Sequence, residues 1–144
     1  MFVGMFALTT LLIGGCSSRP ATGPGIIDPD APTEYTTTDS GLKYRVLRKS
    51  DGAKPTAGSV VKVDYSGWLD NQTEFDSSYG RQKPAVFVLS EVIPGWTEGL
   101  QLIGVGGMIQ LEVPPHLGYG ERGVHGSIPP NSTLHFKIEL HEIQ

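Results

Sequence analysis

The sequence predicts an α+β domain in which an antiparallel β-sheet wraps around one short α-helix. Three observations predict it. The chain has 144 residues, a one-domain length, and its 19 glycines and 11 prolines imply many turns. Within residues 41–144, run after run alternates apolar and polar side chains. Only Val92 to Ile103 shows helical spacing there, with Trp96, Leu100 and Ile103 at i, i+4 and i+7. A lone helix has no cover for its apolar face except the sheet. Trp96 is therefore expected between helix and sheet, or at the floor of a cleft between them.

The elements follow in order. Leu42, Tyr44 and Val46 alternate with Lys43, Arg45 and Leu47, a strand with one wet face. Asp51-Gly52 and Pro55 to Gly58 are turns. Val61, Val63, Tyr65 and Leu69 alternate with Lys62, Asp64, Ser66 and Trp68 in a second strand. Asp70-Asn71-Gln72 reverses the chain into Thr73 to Asp76. A loop over Ser77 to Pro84 leads to the strand Ala85 to Leu89. Pro94 suits a first helical turn, where no amide donor is needed, and Gly104 and Gly106 are stop signals. Ile109, Leu111 and Val113 then alternate with Met108, Gln110 and Glu112. After a loop over Pro114 to Ser132, Leu134, Phe136, Ile138 and Leu140 alternate with His135, Lys137, Glu139 and His141. Such regular runs set register, because a one-residue slip turns the whole apolar set outward.

Upstream of this domain the composition changes. Phe2 to Gly15 is apolar and uncharged, short for a bilayer span, and fits a signal-peptide core, although no Lys or Arg precedes it. It ends in Leu12-Ile13-Gly14-Gly15-Cys16, which resembles the lipobox of bacterial lipoproteins. That resemblance implies a signal over residues 1–16 and a lipid on the Cys16 thiol. Ser17, rather than Asp, resembles lipoproteins sorted to the periplasmic face of the outer membrane. Cys16 is the sole cysteine, so no intramolecular disulfide forms. Residues 17–40 are rich in Ser, Pro, Thr, Gly and Asp, and only Ile26, Ile27 and Tyr35 are large and apolar. They read as a flexible tether with a span of roughly 25–30 Å. The alternative is an ordered arm docked through Ile26 and Ile27.

The formal net charge of −4 and the scattered Lys and Arg argue against nucleic-acid binding. The one basic run, Arg45 to Lys49, reads as an exposed strand face. His116, His125, His135 and His141 form no ligand cluster, and His135 and His141 fall on the solvated face of the last strand. No phosphate-binding loop and no catalytic triad is visible. No metal and no cofactor is expected.

Three stretches carry the chemistry: V-D-Y-S-G-W-L (63–69) with E-F-D-S-S (74–78), E-V-I-P-G-W-T-E-G-L (91–100), and L-G-Y-G (117–120) with I-P-P-N-S-T-L-H-F-K-I-E-L (128–140). In this order and spacing they resemble the FK506-binding protein family of peptidyl-prolyl cis-trans isomerases, over about residues 40 to 144. The resemblance implies the sheet-around-helix fold and acceleration of Xaa-Pro isomerisation in proteins folding outside the cytoplasm. It also implies a pocket. Asp76, Tyr119, Trp96 and Phe75 would be catalytic: Asp76 beside the twisting carbonyl, Trp96 under the proline ring, Tyr119 giving a hydroxyl to the substrate backbone. Tyr65 and Phe75 would form one wall, with Arg81 pairing with Asp76. Phe87, Val92, Ile93, Ile128 and Phe136 would complete the substrate-binding set, with Val92 and Ile93 at the entrance.

The partners implied are Xaa-Pro segments of unfolded or folding proteins and macrolide inhibitors. The membrane is reached only through the lipid, and the protein is expected to be a monomer. Departures from the family pattern at Ala85, at Val124 with His125, and at Ser127 are expected to widen or wet the pocket rim. A non-catalytic module that grips proline segments in the same cleft is the alternative function. Without the motifs, Tyr65, Phe75, Trp96 and Phe136 would read as plain core.

Overall fold

The computed structural model describes residues 23–144. The leader, its Cys16 and residues 17–22 lie outside the described residues. Seven strands form one antiparallel sheet: β1 Thr36–Thr37, β2 Lys43–Arg48, β3 Val60–Leu69, β4 Glu74–Ser77, β5 Ala85–Val88, β6 Met108–Val113 and β7 Leu134–Ile143. The order across the sheet is β1-β2-β6-β7-β3-β4, and β5 also pairs with β3. β3 is long enough for two partners on one edge. Val60 to Val63 pair with β5, and Ser66 to Trp68 pair with β4. The single α-helix among the described residues, α1, runs Pro94–Leu100 between β5 and β6. The expected architecture of one short helix against an antiparallel sheet is the observed one.

Alternation places Val61, Val63 and Tyr65 of β3, Ile109, Leu111 and Val113 of β6, and Phe136, Ile138 and Leu140 of β7 on the concave face, all buried in one core cluster with Leu100 and Trp96. α1 packs flat against this face because its inner positions are glycines. A Cβ on Gly99 would lie 2.8 Å from both Leu111 methyl carbons, and one on Gly95 would lie 2.7 Å from Val113. The helix is shorter than its apolar spacing suggested. It ends at Leu100, and Ile103 is buried from the following turn, where the Leu102 amide donates to the Gly99 carbonyl.

The convex face departs from its alternation. Asp64, Gln110 and Glu139, and with them Met108, were expected on the wet side yet are buried. Two segments cover them: the Ser77–Pro84 loop, through buried Ser78 and Tyr79, and an N-terminal arm. From Gly25 onward the expected tether lies on the sheet. The Asp28 amide donates to the Leu47 carbonyl at 2.8 Å, Thr36 and Thr37 pair with β2, and the Gly25 amide donates to Glu139 Oε1 at 3.0 Å. Ile26 and Ile27 do not dock it, being 69% and 41% exposed. The basic run does. Arg48 donates to the Ile26 carbonyl, Arg45 donates to the Thr33 carbonyl and sits over the Tyr35 ring, and Lys49 pairs with Asp30. A segment too polar to bury a core of its own is thus held by hydrogen bonds to an already folded face. The last-strand histidines are also partnered: His135 stacks on Trp68 and contacts Asp70, and His141 contacts Asp64.

The close helix–sheet approach makes Gly99→Ala a sharp test. In an open helix the change would stabilise by about 1 kcal/mol. Here the methyl group meets Leu111, and overpacking of this kind costs about 1–3 kcal/mol. Urea denaturation should show a net loss of stability, and a gain would contradict the packing described.

Candidate functional site

The concave face opens between α1, β3, β5 and the loop after β6 into a cavity of about 320 Å³. Trp96 is its floor, set by the first turn of α1 and only 4% exposed. Three rings stand edge-on around the indole: Tyr65 at 5.0 Å between centroids and 84°, Phe87 at 5.4 Å and 86°, and Phe136 at 5.4 Å and 87°. Phe75 meets Phe136 in the same manner at 5.6 Å and 89°. Edge-to-face contacts of this kind suit the aromatic quadrupole. The rings come from adjacent strands β5, β3, β4 and β7, so sheet register fixes their spacing. Gly67 makes the box possible. It faces Phe136 across the ladder, and a Cβ there would lie 2.8 Å from both Phe136 and Phe75. The Trp96 indole N–H is buried and has no hydrogen-bond partner among the described residues.

One edge of this apolar bowl is charged. Asp76 Oδ1 accepts from Arg81 Nη1 at 2.7 Å and from the Ser77 amide at 2.9 Å. Asp76 Oδ2 accepts from the Tyr65 hydroxyl, which in turn accepts from Arg81 Nη2 at 3.1 Å. Burial works to raise the Asp76 carboxyl, but the Tyr65 hydroxyl and Arg81 outweigh it and hold it below its ordinary value. Burial, reinforced by the carboxylate, pushes the Tyr65 phenol up to about 12. Both carboxylate oxygens are therefore occupied, and the phenol keeps its proton. The group is a fixed anion rather than a proton carrier.

Among the residues expected from sequence, Tyr65, Phe75, Asp76, Phe87 and Val92 line the cavity, as do Ile93, Trp96, Tyr119 and Phe136. Arg81 lies outside the lining and acts on it through Asp76 and Tyr65. Ile128 is not brought to the cavity either: it is buried in the core cluster, with its amide bonded to the Val124 carbonyl. Tyr119 is 43% exposed at the mouth, and among the described residues its hydroxyl has no protein partner. The rim departures fall elsewhere. Ala85 packs against the core beside Val63, and Ser127 is exposed beside a separate depression lined also by Arg122 and Val124. Glu91 was missed. It ends the 3-10 turn Leu89–Glu91 and lines the cavity just before Val92 and Ile93. Its place directly before those two entrance residues was the available signal.

Residues 51–141 match the family model described as FKBP-type peptidyl-prolyl cis-trans isomerase. The chain belongs to this family. It is 51% identical over 107 residues to the FKBP-type peptidyl-prolyl cis-trans isomerase FkpA of Aeromonas hydrophila, a match that covers 74% of this chain and 40% of that protein. It is 46% identical over 124 residues to the FKBP-type 22 kDa peptidyl-prolyl cis-trans isomerase of Escherichia coli, with 85% and 60% covered. The match to the FKBP-type enzymes extends to solved structures. The crystal structure of FkpA from Escherichia coli superimposes with a TM-score of 0.75 at 46% identity, over 78% of this chain and 53% of that one. AtFKBP13 does so with a TM-score of 0.71 at 36% identity, over 77% and 99%. The chain thus spans 40% to 60% of the length of these curated relatives.

The depressed Asp76 carboxyl has a stability consequence. A carboxyl lowered by folding contributes stability that is full above the ordinary carboxylate value and is lost as pH falls through the folded one. The stability difference between wild type and Asp76→Asn should be largest near pH 7 and shrink below about pH 4. Urea denaturation across that range measures it, and a difference that stays constant into stronger acid would contradict the assignment.

Proposed function

We propose that the protein is a peptidyl-prolyl cis-trans isomerase acting on Xaa-Pro bonds of proteins that fold outside the cytoplasm. The observation that carries this reading is the aromatic box over Trp96 with an Asp76 carboxylate hydrogen-bonded at both oxygens on its edge. An Xaa-Pro bond isomerises unaided in tens to hundreds of seconds, because the planar amide is stabilised by resonance. In the twisted transition state that resonance is gone, and the amide dipole is smaller. A catalyst of this step needs no nucleophile and no proton transfer. It needs a surface that binds the twisted amide better than the planar one.

The residues support such a division of labour. Trp96, Tyr65, Phe87 and Phe136 offer a dry seat for the proline ring, where a less polar, twisted amide is favoured. Asp76, held by Arg81 and Tyr65, sets a fixed field beside the carbonyl carbon. The Ile93 amide at the entrance and the Tyr119 hydroxyl are donors for substrate carbonyls. Val92, Phe75 and Glu91 complete the lining. The same bowl suits macrolide inhibitors, which present a ring and carbonyls of similar shape.

The location belongs to this proposal. Leu12 to Cys16 supports processing at Cys16 and a lipid on its thiol, with the domain on the periplasmic face of the outer membrane. Among the described residues no helix is long and apolar enough to cross a membrane. The lipid would then be the anchor.

Cis–trans exchange of a short Leu-Pro peptide, followed by NMR, tests the activity. Wild-type protein should accelerate exchange, and rapamycin should abolish the effect. Asp76→Ala and Trp96→Leu should each lower kcat/KM about tenfold or more, equivalent to losing at least one decade of transition-state binding. Folded wild-type protein that binds the peptide without accelerating exchange would reduce the cleft to a binding module.

A further inference from the structure

The convex face of the sheet, behind the cleft, holds a buried polar cluster that the proposed chemistry does not use. Asp64 on β3 and Glu139 on β7 are direct cross-strand partners, and both are buried. Ser78 Oγ donates to Asp64 Oδ1 at 2.7 Å and accepts the Tyr65 amide at 2.8 Å. The Tyr79 phenol donates to Glu139 Oε2. Glu139 Oε1 accepts from Arg48 Nη1 at 3.1 Å and from the Gly25 amide at 3.0 Å. Burial first, and then this carboxylate, raise the Tyr79 phenol above its ordinary value.

Ser78 and Tyr79 lie between Asp76 and Arg81 in the chain. The Ser78 carbonyl accepts the Arg81 amide at 3.1 Å, and the Gln82 amide donates to the Tyr79 carbonyl at 3.0 Å. Arg81 itself is on an exposed part of the loop, with its side chain 53% exposed. An exposed arginine loses considerable rotamer and loop freedom when it is held in one geometry. Two residues before Arg81, the buried Tyr79 ring, with Ser78 beside it, fixes that loop to the sheet. A phenol bonded to a buried carboxylate is a charge-assisted contact, stronger than a neutral one. The carboxylate cannot release it without leaving an oxygen under-satisfied in the interior.

We propose that Tyr79, anchored on Glu139, is a positioning residue for the Asp76–Arg81 clamp, a role that rests on the isomerase reading above. The sheet then acts through its thickness: a carboxylate on the convex face holds the loop that aims a guanidinium at the concave one. The Gly25 amide on the same carboxylate places the N-terminal arm at that anchor point.

The test is a double-mutant cycle on the full chain. Tyr79→Phe removes only the hydroxyl and should lower kcat/KM about fivefold, within the range of couplings between residues of one network. In an Arg81→Ala background the same change should cost nothing further, because the positioned group is gone. Glu139→Gln should reproduce the Tyr79→Phe loss. Wild-type kcat/KM in folded Tyr79→Phe, or losses that multiply with Arg81→Ala, would overturn the proposal and leave Tyr79 a packing residue. If wild-type protein proves inactive, the isomerase reading falls separately. Positioning is then decided by amide hydrogen exchange at Arg81 and Gln82: faster exchange in Tyr79→Phe sustains it, and unchanged exchange overturns it.

Discussion

The close approach of one short helix to the sheet sets the rest of this structure. α1 has only seven residues, too few to be stable alone, so it exists because its inner face is buried. Gly95 and Gly99 leave no side chain between the helix and Val113 and Leu111, which brings the helix backbone down onto β6. That height decides where Trp96 sits. A larger residue at Gly99 would lift the helix, and the indole would no longer close the bottom of the ring box formed by Tyr65, Phe87 and Phe136. Two poor helix formers in a seven-residue helix are a local cost, accepted because a close-packed interface depends on them.

Above that floor the site divides into an apolar seat and one charged edge, and the two parts constrain each other. A carboxylate beside four aromatic rings would tend to take up a proton, since burial disfavours its charge. Arg81, Tyr65 and the Ser77 amide reverse that tendency and keep Asp76 ionised. Both of its oxygens are held by these donors, which fixes the carboxylate as an anion. Acid–base or nucleophilic chemistry would need the opposite arrangement, a group poised near neutrality with one face open. The geometry therefore favours a reaction driven by shape and field alone. Rotation about a hindered amide is such a reaction.

Much of the fold was legible in the sequence, because strand alternation in β3, β6 and β7 has a period of two and the concave side is buried throughout. The motifs marked the cavity lining almost completely, for a related reason: Tyr65, Phe75, Trp96 and Phe136 sit on regular elements whose register leaves them no other direction. The failures lie where regularity ends. Ile128 sits in an irregular loop, and its backbone bridge to Val124 turns it into the core rather than to the cleft. Glu91 lies on a 3-10 turn too short to carry a period. The arm over residues 25–40 looked like a tether because composition reports what a segment can bury for itself. It does not report that Arg45, Arg48 and Lys49 wait on a formed sheet to bind its carbonyls and carboxylates.

The buried convex face exposes the limit of reading alternation as inside and outside. Asp64 and Glu139 hold the polar positions of alternating strands, and in a two-layer domain those positions face water. Here they face a loop and an arm instead, so each buried carboxylate must have its hydrogen bonds met by the covering segments. Ser78 and Tyr79 of the loop and the Gly25 amide of the arm meet them, joined by Arg48 and His141 from the sheet itself. This requirement runs in both directions. The carboxylates need the loop to stay satisfied, and the loop needs the carboxylates to stay in place. Removing one of these partners would leave a buried charge uncompensated, which is strongly destabilising. In a sheet only one layer of backbone thick, fixing the loop from behind leaves the cleft itself free.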